Sequence, residues 1–244
     1  MSGVTPVQSA AAYYGSAGSG GNLPCSYGSP NTANNIGVAW VTADKGAGPS
    51  GLSDTQGNTW FYFQGTFTNG GYTTFWVCPN LKAGANTVTV SGVVGGTAPS
   101  TAPVLVLLEL APPASGLVGI QAIKGPLGIN NGGIYGDGPP LTFEALFSST
   151  QSPYYSTLLA FIKTAQGGDG VGAKSWSITT PGGSLASGVI ITYTDTGLGI
   201  TGAVAYCTVE NSAENQVTFS YSPSTPALPG DGAILIGLLF NSSS

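Results

Sequence analysis

The strongest constraint on this chain is a rhythm of strands without a rhythm of helices. Runs of Val, Ile, Thr and aromatic residues alternate with clusters of Gly, Pro, Asn and Ser from residue 36 to residue 240. β-Branched and aromatic side chains suit a pleated, half-buried surface, and the clusters between them supply turns. No window of useful length repeats apolar residues at the spacing of an amphipathic helix. The runs predict strands at 36–42, 59–64, 72–78, 86–94, 103–110 and 117–124. A second set is predicted at 156–163, 174–178, 188–194, 202–209, 215–221 and 233–240. Residues 143–148 read as one short turn of helix. The expected fold is all-β, a two-sheet β-sandwich of jelly-roll-like form.

The segments 104–108 and 233–240 are apolar on both faces, which suits central strands covered on both sides. Residues 1–31 are rich in Gly, Ser, Ala and Pro, and they read as an irregular N-terminal arm anchored by Tyr13 and Tyr14. The β-sandwich domain is expected over 32–244.

The second set of runs echoes the first. At an offset of 129 residues Trp76-Val77-Cys78 falls on Ala205-Tyr206-Cys207, and Asn86–Val90 falls on Asn215–Phe219. The same offset places Trp60-Phe61-Tyr62 on Val189-Ile190-Ile191 and 104–107 on 233–236. An offset of 122 places Thr42-Ala43 on Thr164-Ala165. The echo predicts an internal pseudo-repeat of two five-stranded halves, at roughly 32–125 and 126–244.

Charge is scarce. Only 6% of the residues are Asp, Glu, Lys or Arg, where a typical globular chain has about 25%. All five basic residues are lysines, there is no histidine, and the net charge is −5. A Ser-His-Asp triad, a Cys-His pair and an imidazole metal ligand are therefore excluded. So is a bidentate arginine clamp on phosphate. Nucleic-acid affinity comes mostly from Lys and Arg, so no nucleic-acid partner is expected. No apolar run approaches the ~20 residues of a membrane-spanning helix, so no membrane partner is expected. The start of the chain has neither the basic nor the apolar region of a signal peptide. Cys78 and Cys207 sit in strand-like runs and read as buried thiols, with a Cys78–Cys207 disulfide as the alternative, and with Cys25 they leave an odd thiol under any pairing.

The segment Ser53-Asp54-Thr55-Gln56-Gly57-Asn58-Thr59-Trp60 resembles the D-S/T-x-G-N-T-W/Y stretch of a family of bacterial and phage β-sandwich domains, mostly hypothetical proteins. In that family an aromatic strand, a K-x-G-A-N-T-V-T-V strand and an apolar V-L-E strand follow. Their counterparts here are Phe61-Tyr62-Phe63, Lys82 to Val90, and Val106-Leu107-Leu108-Glu109. The resemblance covers residues 32–111 and implies a sandwich in a surface-exposed or virion-associated setting, without catalytic residues. The chain departs from the pattern at Ala111-Pro112-Pro113.

Within that stretch, Asp54, Gly57 and Asn58 read as turn chemistry, with a calcium ligand as the alternative for Asp54. Trp60 completes the motif and reads as core, as do Trp40, Trp76 and Trp176. Tyr135-Gly136-Asp137-Gly138 and Gly167-Gly168-Asp169-Gly170 read as loops. Glu109 lies in an apolar run, where a carboxylate must be paired, hydrogen-bonded or protonated. A catalytic role would need a second carboxylate opposite Glu109. The spacing selects none of Glu144, Asp169, Asp195, Glu210 and Glu214.

An uncharged, aromatic-rich surface suits burial against neighbours. The expectation is a structural virion protein of a bacteriophage: a capsid decoration, minor head or tail component. It would assemble with other copies of itself and other virion proteins, without enzymatic activity or cofactor. The alternative is a secreted bacterial adhesin or carbohydrate-binding module at the cell surface, taking carbohydrate through exposed aromatics.

Overall fold

Wherever the rhythm predicts a strand, a strand forms. The computed structural model describes residues 3–13, 18–43, 48–63, 72–95, 102–114, 117–123, 141–147, 155–165, 175–179, 186–195, 200–210, 215–222 and 232–242. Among them the first eight strands are β1 (Thr5–Tyr13), β2 (Gly18–Ser26), β3 (Ile36–Ala43), β4 (Gly51–Asp54), β5 (Phe61–Phe63), β6 (Tyr72–Cys78), β7 (Thr87–Gly95) and β8 (Val104–Ala111). The next eight are β9 (Leu117–Ile123), β10 (Leu141–Phe147), β11 (Tyr155–Ala165), β12 (Ser175–Thr179), β13 (Ala186–Asp195), β14 (Ile200–Glu210), β15 (Asn215–Ser222) and β16 (Gly232–Ser242). The protein is an all-β sandwich of antiparallel sheets.

The chain divides into two compact units, Thr5–Pro112 and Met1–Val4 with Pro113–Ser244. In the first unit a five-stranded sheet runs β1-β8-β3-β6-β5 and a three-stranded sheet runs β2-β7-β4. In the second the orders are β9-β16-β11-β14-β13 and β10-β15-β12. These are the same orders, with every strand replaced by the one eight places later. In both units the first, eighth, third and sixth strands share one sheet, and the second, seventh and fourth share the other. This is the alternation of a jelly roll, with the fifth strand added beside the sixth. The pseudo-repeat is therefore larger than the five-stranded halves expected, with eight strands in each unit among the described residues. The break falls at the Pro112-Pro113 pair and not near residue 125, because β9 pairs with β16 and so belongs to the second unit.

Two local expectations are corrected. Residues 1–31 are not an irregular arm, since they contain β1 and β2. β1 pairs with β8 through small alanines that carry no strong pattern. β2 carries Leu23 and Cys25 inward at alternate positions, and Tyr27 continues the series just past its end. Pro24 is tolerated there because β2 is an edge strand. The helical turn at 143–148 is instead strand β10, paired with β15 from Leu141 to Phe147. Pairing along that whole length overrides the helix preference of Glu144-Ala145-Leu146.

The core of the first unit lies between its sheets. Leu23, Cys25 and Tyr27 meet Val88, Val90 and Val93 from one side, and Ala39, Val41, Trp76, Leu105 and Leu107 from the other. Seven consecutive residues of β8, Val104 to Leu110, are buried, so both faces of this central strand are covered. Among the described side chains of the second unit, Leu158, Leu159, Phe161, Val204 and Phe240 are buried.

Candidate functional site

Two carboxylates organise the loops of the first unit, and each is held by amide donors. Glu109, on β8, has no solvent exposure. Its Oε1 accepts from the Thr32 backbone N–H at 2.8 Å and from Asn35 Nδ2 at 2.6 Å. Its Oε2 accepts from Asn31 Nδ2 at 2.6 Å and from Gln8 Nε2 at 2.5 Å. Burial pushes this carboxyl up, but the hydrogen bonds from Thr32, Asn31, Gln8 and Asn35 outweigh it and hold the group below its ordinary value. A carboxylate offers about four acceptor positions, and here all four are taken. The residue is therefore ionised without a cation beside it in the network.

Asp54, at the end of β4, forms the second knot. Its Oδ1 accepts from the Asn58 backbone N–H at 2.9 Å. Its Oδ2 accepts from Asn58 Nδ2 at 2.7 Å, Trp60 Nε1 at 2.8 Å and Asn86 Nδ2 at 3.3 Å. Partial burial again raises this carboxyl, and the donors bring it below its ordinary value. Gly57 makes the turn possible, because its φ of 62° lies in the left-handed region that side chains disfavour. The Trp60 ring lies over Gly37, where a Cβ would come within 2.8 Å of it.

The loop before β7 closes both knots. Asn58 Oδ1 accepts from the Lys82 backbone N–H at 2.8 Å, and Lys82 Nζ donates to the carbonyls of Gln56 and Gly57 at 3.1 and 2.8 Å. Asn31 and Gly84 exchange two backbone hydrogen bonds, at 2.8 and 3.1 Å. Leu81 N donates to Asn35 O at 2.7 Å, and Asn34 N donates to Leu81 O at 2.9 Å. The two separated segments 53–60 and 82–90 thus meet in space through Asp54, Asn58, Lys82 and Asn86.

The geometry assigns these groups to architecture. Both carboxylates face N–H donors that tie loops to strands. Trp40 and Trp76 are buried, Trp60 is half-buried, and the side chain of Trp176 lies outside the described residues. The 135–138 and 167–170 loops and Glu214 also lie outside them, as do the side chains of Glu144 and Glu210.

Cys78 and Cys207 are buried free thiols on equivalent strands, β6 and β14, and Cys25 is a third on β2. Burial pushes Cys25 up to about 12 and Cys207 up to about 11, and it also raises Cys78. The two strand-equivalent cysteines are not register-equivalent. Gly37 pairs with Glu109 and Cys78, whereas Leu159, its counterpart at the offset of 122 residues, pairs with Leu238 and Tyr206. Cys207 thus stands one row along, and the place of Glu109 is taken by Leu238.

Sequence reasoning missed Gln8, Asn31 and Asn35 as ligands of Glu109. The only available signal was the Asn-rich run Asn31-Thr32-Ala33-Asn34-Asn35, which reads as a loop until its partner is known. It also missed the exposure of Phe61 and Tyr62, which are 54% and 53% accessible on edge strand β5.

Compared with family models, curated proteins and solved structures, the chain matches none.

Proposed function

We propose that this chain is a structural subunit of a bacteriophage particle, a capsid decoration, minor head or tail component that works by assembly and not by catalysis. The observation carrying this reading is the repeated jelly-roll order of its two units. Double-sheet jelly rolls serve in viral capsids and in lectins, so the link from architecture to role is one of fold-level analogy. Composition favours the capsid branch. Only 6% of the residues are charged, and interface cores are depleted in charge. The inward-turned carboxylates at Asp54 and Glu109 remove two of those few charges from the surface chemistry.

Negative-stain electron microscopy of the concentrated full chain tests this reading. Regular oligomers or sheets support it. A monodisperse field of single particles at every concentration overturns it.

The second reading, a secreted adhesin or carbohydrate-binding module, draws support from the exposed rings of Phe61 and Tyr62. Saturable binding to a glycan array that is lost in Tyr62→Ala, without self-association, would favour it.

A further inference from the structure

All four exposed large hydrophobic residues among the described ones lie on edge strands of the five-stranded sheets. Val7 is on β1, Phe61 and Tyr62 are on β5, and Val189 is on β13. Only β5 carries aromatics there. Tyr62 is braced by Trp76, edge to face at 5.3 Å between ring centroids, so its exposed ring is held in place.

We propose that β5 is a self-association edge, where a second copy of this chain adds its own β5 antiparallel across Phe61, Tyr62 and Phe63. This deepens the assembly reading and rests on it. Three observations select the occupant. First, β5 pairs with β6 on one side only among the described residues, so its outer row of backbone groups is a template for another strand. Second, successive strand residues point to opposite faces, so Phe61 and Tyr62 flank an added strand above and below. A sugar ring stacks on one flat face and would not engage both. Third, the edge itself is uncharged. Trp60 to Phe63 carry no charge, although the chain as a whole is −5 and copies repel elsewhere. Asp54 and Glu109 are turned onto amide donors, so they offer no acidic patch to a basic partner. Antiparallel pairing of a strand with itself also satisfies two-fold symmetry.

The size of the patch sets the strength. Two half-exposed aromatic rings offer about 200 Å² of side-chain area per copy. A stable pair of proteins buries about 800 Å² per partner. The contact is therefore weak by itself and becomes strong only when several act together in an assembly. Dissociation constants between about 10 μM and 1 mM are expected.

Sedimentation velocity on the full chain up to about 1 mM tests this, with Phe61→Lys, Tyr62→Lys and Val7→Lys as variants. All three sites are exposed, and unchanged far-ultraviolet circular dichroism establishes that each variant is folded. The expected result is reversible dimerisation of the parent and Val7→Lys, weakened at least tenfold in Phe61→Lys and Tyr62→Lys. Association undiminished in both aromatic variants overturns the β5 edge while leaving assembly standing. A parent that stays monomeric throughout overturns both. Abolition by Val7→Lys alone moves the contact to β1 and overturns the proposal.

Discussion

Asn31 donates its side-chain amide to Glu109 Oε2 at 2.6 Å across 78 residues of sequence, and its backbone pairs at the same time with Gly84. One residue therefore couples the carboxylate on the central strand β8 to the loop that carries Lys82 and Asn86. The ends of the first unit's strands are tied by neutral donors converging on two anions, a device that suits a chain with few charges of either sign.

Removing the Glu109 charge should destabilise the first unit. Glu109→Gln turns one acceptor oxygen into a donor that faces other donors, and a loss of about 3 kcal/mol is expected from urea unfolding. Glu109→Leu copies the residue at the matching place in the second unit, but it leaves four donors without a partner and should cost more. A loss under about 1 kcal/mol in both variants would contradict the role given to this carboxylate.

The pH dependence follows from the same groups. Glu109 and Asp54 both titrate below their ordinary values in the folded chain. Each contributes stability that is present above its unfolded value and lost as pH falls through its folded value. Stability should be flat from neutral pH down to about 5 and then decline from about pH 4. Glu109→Gln should shallow that decline. An equal acid slope in parent and variant, measured by unfolding at a series of pH values, would refute the assignment.

Asp54→Asn should loosen the 53–60 turn. The new amide meets donors from Asn58, Trp60 and Asn86 where an acceptor stood. A cost of about 1–2 kcal/mol is expected. A red shift of tryptophan emission should accompany it as the Trp60 indole loses its hydrogen bond. Unchanged emission and stability would show that the turn does not depend on the carboxylate.

The three thiols should be inert in the native state. Burial holds Cys25 near 12 and Cys207 near 11 and raises Cys78, so the reactive thiolate is scarce at pH 8. Labelling with a thiol reagent should proceed at the rate of unfolding and reach three groups in denaturant. Rapid modification of any one thiol in the folded protein would contradict their burial.

The sequence made the strand positions plain because buried strands need long runs of β-branched and aromatic residues, as in 36–42 and 104–108. It carried the repeat for the same reason, since Thr87–Val90 and Gln216–Phe219, which the offset of 129 aligns, lie in β7 and β15. Four strands escaped. β1 and β2 pack with Ala, Gly and single Leu or Cys residues, β4 is only four residues long, and β10 carries a helix-prone triplet. The Asp54 turn was legible because its donors Asn58 and Trp60 are near neighbours. The Glu109 knot was not, because Gln8 and Asn31 reach it from 101 and 78 residues away. Sequence spacing carries no trace of contacts at that range.

Assembly is the central claim, and the mass of the protein in solution tests it most directly. Multi-angle light scattering of the full chain, followed from dilute to concentrated, should give a mass that climbs from 24.3 kDa towards a multiple of it. A mass fixed at 24.3 kDa over the whole range would contradict the account.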